Sequence, residues 1–142
     1  MLIDDTLAFL LGEWRLSRSL DDHRSGALGT FEGTATFVPV DGNRGDYAES
    51  GELRWGAHTG PAFRRLALTR LTGGAVLLSF SDGRPYQELD LRNGAWDAVH
   101  DCRADRYEIS TVVRDEVAIE ERWRVRGPAK DYTAVTTLTR RQ

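Results

Sequence analysis

Apolar and polar residues alternate along most of this 142-residue chain, and only its opening positions depart from that rhythm. There Asp4-Asp5-Thr6 offers helix caps, Leu7, Phe9, Leu10 and Leu11 give one apolar face, and Gly12 supplies a stop, predicting a single short helix. About ten strand-like runs follow, at 13–22, 28–39, 46–55, 63–72, 75–81, 84–92, 95–102, 105–114, 117–126 and 131–141. Period-two runs parted by turn chemistry are an all-β signature. The softest loops should be Val40–Gly45 and Gly56–Ala62, each carrying glycine with proline nearby. No linker or repeat interrupts the series. The expected architecture is one domain over 1–142, a single antiparallel up-and-down β-barrel of about ten strands with the helix closing one end.

Turn chemistry also fixes cross-strand neighbours. Asn93-Gly94, read as a two-residue type I′ turn, places Leu91 opposite Trp96, Leu89 opposite Ala98 and Gln87 opposite His100. Asp82-Gly83 sets Leu78 opposite Gln87 and Val76 opposite Leu89; Arg103-Ala104 brings Ile109 to Ala98 and Tyr107 to His100. Val76, Leu78, Phe80, Leu89, Leu91, Trp96, Ala98 and Ile109 then share the inner face. A three-residue loop Arg114–Glu116 would pair Val113 with Val117 and Trp123 with Tyr107, turning Glu121 inward. A four-residue loop Gly127–Lys130 turns Tyr132 inward. A two-residue Gly73-Gly74 turn puts Leu71, Ala67 and Arg65 inside and leaves Leu66 and Leu68 outside, unless a bulge or another loop swaps the faces. Arg15, Arg54, Arg64, Arg70, Arg122, Arg124 and Arg126 fall on outward faces.

Simple alternation adds Arg18 beside Trp14, Leu16 and Leu20, and Glu49 beside Tyr47, Leu53 and Trp55. An unpaired buried charge costs several kcal/mol, so such groups must pair or face a wet cavity. A barrel of this size can enclose a ligand, and an apolar cavity with a few convergent polar groups is the usual small-molecule site. The expected ligand-binding set is Arg18, Tyr47, Glu49, Gln87, Trp96, His100, Tyr107, Trp123 and Tyr132. Its ligand would be small, anionic or oxygenated and partly aromatic, with Arg18 and Arg65 on the acid group. The rival is an enzyme without cofactor, of decarboxylase, lyase or isomerase type, in which His100, Tyr107 and Glu121 (or Glu49) transfer protons. Two blander readings stand beside these. His100 could be a core histidine bonded to Tyr107, or the barrel could be filled and pair as a homodimer through outward Leu66 and Leu68.

His100 and Cys102 share a face, but zinc needs three or four ligands and Asp105 is the only further candidate, so no metal is expected. Gly26, Gly29 and Gly33 are not spaced as a dinucleotide fingerprint, and no cofactor is expected. Cys102 reads as a small buried filler, and His23 and His58 as solvated loop residues. The formal charge of -3 argues against nucleic acid as a partner. Lys130 is the sole lysine, so the positive charge is almost all arginine, the residue that forks onto carboxylates and phosphates. A single cysteine excludes an internal disulfide and fits a reducing compartment. The start Met1-Leu2-Ile3-Asp4-Asp5 lacks a signal-peptide pattern, and no apolar run nears the ~18 residues of a membrane span. A cytoplasmic protein with no membrane partner is expected.

Gly12-x-Trp14, opening the first strand behind a short helix, resembles the start of the lipocalin and calycin families. That resemblance implies that Trp14 closes one barrel end and that Arg140 or Arg141 packs across it. The chain as a whole resembles a family of small bacterial and fungal proteins of unknown function. The matching segments are Phe9-Leu10-Leu11-Gly12-Glu13-Trp14, Tyr47-x-Glu49-x-Gly51, Asp82-Gly83-Arg84-Pro85, His100-x-Cys102-x-x-Asp105-x-Tyr107 and Gly127-Pro128-x-Lys130-Asp131-Tyr132. Nitrobindin-like haem barrels are also similar in strand number but place an iron-ligating histidine late in the chain. No histidine follows His100 here, which speaks against haem.

Overall fold

The computed structural model describes residues 1–142. After helix α1 (Thr6–Leu10) come ten strands: β1 (Gly12–Asp22), β2 (Leu28–Pro39), β3 (Arg44–Trp55), β4 (His58–Arg70), β5 (Val76–Ser79), β6 (Pro85–Leu89), β7 (Ala95–Cys102), β8 (Asp105–Asp115), β9 (Ala118–Arg126) and β10 (Asp131–Arg140). All ladders are antiparallel, in the order β6-β5-β4-β3-β2-β1-β10-β9-β8-β7, curled into a nearly closed all-β barrel. β1 and β10 bring the two ends of the chain together, from Trp14↔Arg140 to Asp22↔Tyr132. The seam falls in mid-chain, between β6 and β7. No helix is long and apolar enough to cross a membrane.

Helix α1 plugs the end of the barrel where β1 begins. Asp5 caps it, accepting from Ala8 N at 2.9 Å, and also receives two bonds from Arg70 at the end of β4. Buried Thr6 donates its N–H to Gly74 O and accepts from Leu91 N, so the plug holds two loops at once. Trp14 is fully buried and donates its indole N–H to Leu10 O at 2.9 Å. The Arg140 guanidinium lies 4.1 Å from the Trp14 ring centroid and donates to Phe9 O and Leu11 O. The expected arginine lid over the tryptophan is Arg140; Arg141 instead pairs with Glu13 on the outside.

Four of the nine expected cross-strand pairs are present, Leu78↔Gln87, Val76↔Leu89, Ile109↔Ala98 and Tyr107↔His100. The other five, Leu91 with Trp96, Leu89 with Ala98, Gln87 with His100, Val113 with Val117 and Trp123 with Tyr107, are not. The sheet departs from expectation at three places. The Asn93-Gly94 hairpin makes no ladder, because β6 ends at Leu89 and the backbone of Leu91 is taken by Thr6 and by Gly94 N. Trp96 is therefore not paired with Leu91, and its indole N–H reaches across the seam to Glu88 O at 2.9 Å. In β8–β9 the register passes through an irregularity at Val113/Asp115, pairing Val113 with Ile119 and Trp123 with Ile109, not with Tyr107.

The third difference reverses a face. Leu71 N donates to Ala75 O, so the loop is Thr72-Gly73-Gly74, with both glycines at positive φ, one residue longer than the expected turn. That extra residue turns Leu66 and Leu68 inward, 5% and 1% exposed, and Arg65 outward. Arg64, expected outside, faces the interior. Cys102, expected buried, is exposed.

Candidate functional site

Above the apolar floor around Trp14, Leu16 and Leu68, alternate positions of neighbouring strands deliver a girdle of polar side chains. Register explains its composition. Glu49 is paired with Arg64 across β3–β4, Arg18 with Thr136 across β1–β10, and Glu121 with both Thr136 and Thr111. Arg18 is fully engaged: Nε donates to Thr136 Oγ1 at 2.8 Å, and Nη1 and Nη2 fork onto the two Glu49 carboxylate oxygens at 3.1 and 2.9 Å. Tyr47 donates its hydroxyl to Glu49 Oε2 at 2.6 Å, and Arg64 Nε stands 3.0 Å from Oε1.

Two carboxylates in one girdle have opposite protonation tendencies. Burial works against the charge of Glu49, but the Arg18 bonds and the Arg64 charge outweigh it and hold the carboxyl below the ordinary range. Burial pushes Glu121 up, and the more distant pull of Arg64 and Arg18 does not offset it. Burial likewise raises the hydroxyls of Tyr47, beside Glu49, and Tyr86, near Glu121.

The girdle borders an interior cavity of about 60 Å³. Arg18, Tyr47, Gln87, Glu121 and Trp123 of the expected residues line it, with Glu49 buried behind Arg18. His100, Tyr107, Trp96 and Tyr132 do not. His100 and Tyr107 lie nearer the open end with ring centroids 5.9 Å apart, and the Tyr107 hydroxyl accepts from Lys130 Nζ at 3.0 Å. The expected proton-transfer trio is thus divided, with Glu121 in the cavity and His100 and Tyr107 outside its lining. Tyr132 sits in a shallow groove at the open end with Trp55 and Lys130. Phe80 packs against Tyr86 at 5.1 Å, at the seam and away from the cavity wall. No group of three His, Cys, Asp or Glu residues is gathered that could hold a metal ion.

Arg64, Tyr86, Thr111 and Thr136 also line the cavity and were missed by sequence reasoning. Arg64 was hidden by the one-residue error at Gly73-Gly74. Tyr86 was hidden by a bulge: Leu78 pairs with Gln87 but Ser79 with Pro85, so both Tyr86 and Gln87 turn inward. Four side-chain atoms on this wall are buried without a well-aligned hydrogen bond: Tyr86 Oη, which faces Arg64, Trp123 Nε1, which faces Glu121, Gln87 Oε1 and Thr111 Oγ1. Arg64 Nε has no aligned acceptor either, its guanidinium lying over the Trp123 ring at 5.2 Å.

The sequence over residues 10–140 matches the model of a family described as a family of unknown function, DUF6314. The chain belongs to that family. Its fold is shared with the S-type phycobiliprotein lyase CPES from Guillardia theta, at 12% identity and a TM-score of 0.68, over 100% of this chain and 94% of the lyase. A de novo designed fluorescence-activating β-barrel matches with 14% identity and a TM-score of 0.52, over 98% of this chain and 100% of its own. A redesigned barrel, mFAP0, solved bound to DFHBI, matches with 12% identity and a TM-score of 0.51, over 93% and 99%. No curated protein matches the sequence. For this DUF6314 member the structural likenesses establish the barrel fold.

Proposed function

We propose that this DUF6314 protein is a cytoplasmic barrel of calycin type that binds a small anionic or oxygenated molecule in the girdle cavity. The observation that carries the reading is the set of unpartnered polar atoms on one wall. Each buried donor or acceptor without a partner costs about 1–3 kcal/mol, and protein interiors leave few of them. Tyr86, Gln87, Thr111 and Trp123 concentrate four around a single cavity. A packed structural core would gain by replacing them with apolar residues; a ligand site needs them. The redesigned barrel mFAP0, similar in fold, was solved bound to DFHBI, which supports the reading.

The test is native mass spectrometry of freshly purified protein, followed by a thermal-shift screen against small metabolites. A bound mass, or stabilisation lost on Trp123→Phe together with Gln87→Leu, is the expected result. No bound mass and no stabilising compound would overturn it. One observation favours an enzymatic second reading: Glu121 is held toward its protonated form beside two arginines, the condition for a general acid. Under that reading Glu121→Gln abolishes turnover while ligand affinity stays within a few-fold, and His100→Gln leaves turnover in place. The homodimer reading loses its support, because Leu66 and Leu68 are core residues.

A further inference from the structure

We infer that the ligand carries a carboxylate, and that Arg64, with the Trp123 indole N–H and the Tyr86 hydroxyl, receives it. This rests on the binding reading above and narrows it to one ligand class. The two cavity guanidiniums differ in what is left of them. Arg18 is held on three nitrogens by Thr136 and Glu49. Arg64 Nε stands 3.0 Å from Glu49 without an aligned bond, the guanidinium lies over Trp123 and faces the Tyr86 hydroxyl, and the side chain lines the cavity. A planar guanidinium with fewer aligned bonds than its neighbour is the better placed of the two to grip a carboxylate.

Two of the four unpartnered groups suit an acceptor, since Trp123 Nε1 can only donate and Tyr86 Oη can donate. The Thr111 hydroxyl can do either, and Gln87 Oε1, which only accepts, faces a donor on the ligand instead. The charged groups facing this point are Arg18 from β1, Glu49 from β3, Arg64 from β4 and Glu121 from β9. Tyr47 and Tyr86 stay neutral, burial raising both. Folding favours the ionised form of Glu49 and, through burial, the protonated form of Glu121, so the charge balance beside the two arginines leans toward positive. Volume sets the size. At about 60 Å³ the cavity holds roughly four waters' worth of space, and so an acid of a few non-hydrogen atoms.

The test uses the four tryptophan indole N–H resonances of the full-length protein, which report separate places. Trp14 and Trp96 are already bonded to carbonyls, whereas Trp123 is not. Titration with acetate, propionate and lactate, against acetamide and propionamide, should shift the Trp123 resonance with the acids and leave it with the amides. Arg64→Gln should weaken the acids by more than about tenfold, since removing one partner of a buried charged bond has effects of that order. Should Arg64→Gln fail to fold, Trp123→Phe with the bound acid followed by ligand-observed NMR gives the same readout, expected as a several-fold loss. Amides binding as well as acids would overturn the carboxylate inference and leave the binding site standing. Acids that bind while the Trp123 resonance stays fixed would overturn the assignment to Arg64. If no compound of either kind binds and no mass co-purifies, the binding reading itself fails.

Discussion

Replacing Glu49 by glutamine isolates the electrostatics of the girdle, because the substitution keeps shape and removes only charge. In the folded barrel Glu49 is 4% exposed and accepts two bonds from Arg18 and one from Tyr47, with Arg64 Nε 3.0 Å away. Glutamine retains a single acceptor oxygen, and its NH2 would meet the guanidinium donors of Arg18. The substitution therefore leaves two arginines in the interior with Glu121, whose ionised form burial disfavours, as the remaining carboxyl of the girdle. Removing one partner of a buried ion pair costs about 3–5 kcal/mol. Glutamine keeps part of the bonding, so about 3 kcal/mol is expected, against total stabilities of roughly 5–15 kcal/mol for single domains. Equilibrium urea unfolding at pH 7 should show the midpoint falling by about 1–2 M. Glu32→Gln, which loses only an exposed bond from Ser17, is the control and should change stability by less than about 0.5 kcal/mol. The pH dependence has a definite sign. The Glu49 carboxyl is lowered by folding, so its contribution is full above the ordinary value of 4.5 and is lost as pH falls through the folded value. The difference between wild type and variant should thus shrink in acid. A loss below about 1 kcal/mol at pH 7, or a gap that widens below pH 4, would refute the account.

Glu121→Gln should act in the opposite window. Its pKa is raised by folding, so wild-type stability is lost as pH rises through the folded value, and the variant, measured by thermal melts from pH 5 to 9, should lack that decline. Arg140→Ala removes the guanidinium over Trp14 and the bonds to Phe9 O and Leu11 O, for an expected loss of about 1–2 kcal/mol. Faster amide exchange confined to α1 and the start of β1 would localise the effect. Leu68→Ala should cost about 2–5 kcal/mol in chemical unfolding, while Phe63→Ala, on the outer face of the same strand and 80% exposed, should change stability by less than about 0.5 kcal/mol. Equal costs at the two positions would overturn the facing of β4.

The strands were legible because their alternation is long and their turns carry strong local chemistry. Arg103-Ala104 aligned β7 with β8 as expected, whereas the loop at Asp82-Gly83 also takes in Ser81, and the expected Leu78↔Gln87 pair returns only through the bulge at Tyr86. At β4 the sequence misled through a single residue of loop length. Gly73-Gly74 suggests the shortest turn equally well, yet Thr72 joins the loop, and Arg64 exchanges places with Arg65. Alternation cannot detect such an error, because a strand with leucines at 66 and 68 and arginines at 64, 65 and 70 reads acceptably both ways. The bulge at Tyr86 is invisible for a related reason: it follows from the geometry of neighbouring strands, not from a residue preference. The break between β6 and β7 depends on Thr6, about eighty-five residues away, capturing the backbone of Leu91. Local chemistry fixed the strands; the site depended on slips that only the assembled sheet reveals.

In this barrel every ladder joins consecutive strands except β1–β10, so one long-range zipper converts a flat meander into a container. Joining the first and last strands closes a loop of nearly the whole chain, the largest entropic step in assembly, while each hairpin closes a short one. The two free edges, by contrast, are tethered by the short turn at Asn93-Gly94. Across that seam the backbone ladder is replaced by side chains, the Trp96 indole on Glu88 O and the Phe80 and Tyr86 rings against His100. The container therefore has a backbone weld between its termini and, on its far side, a joint made by side chains alone.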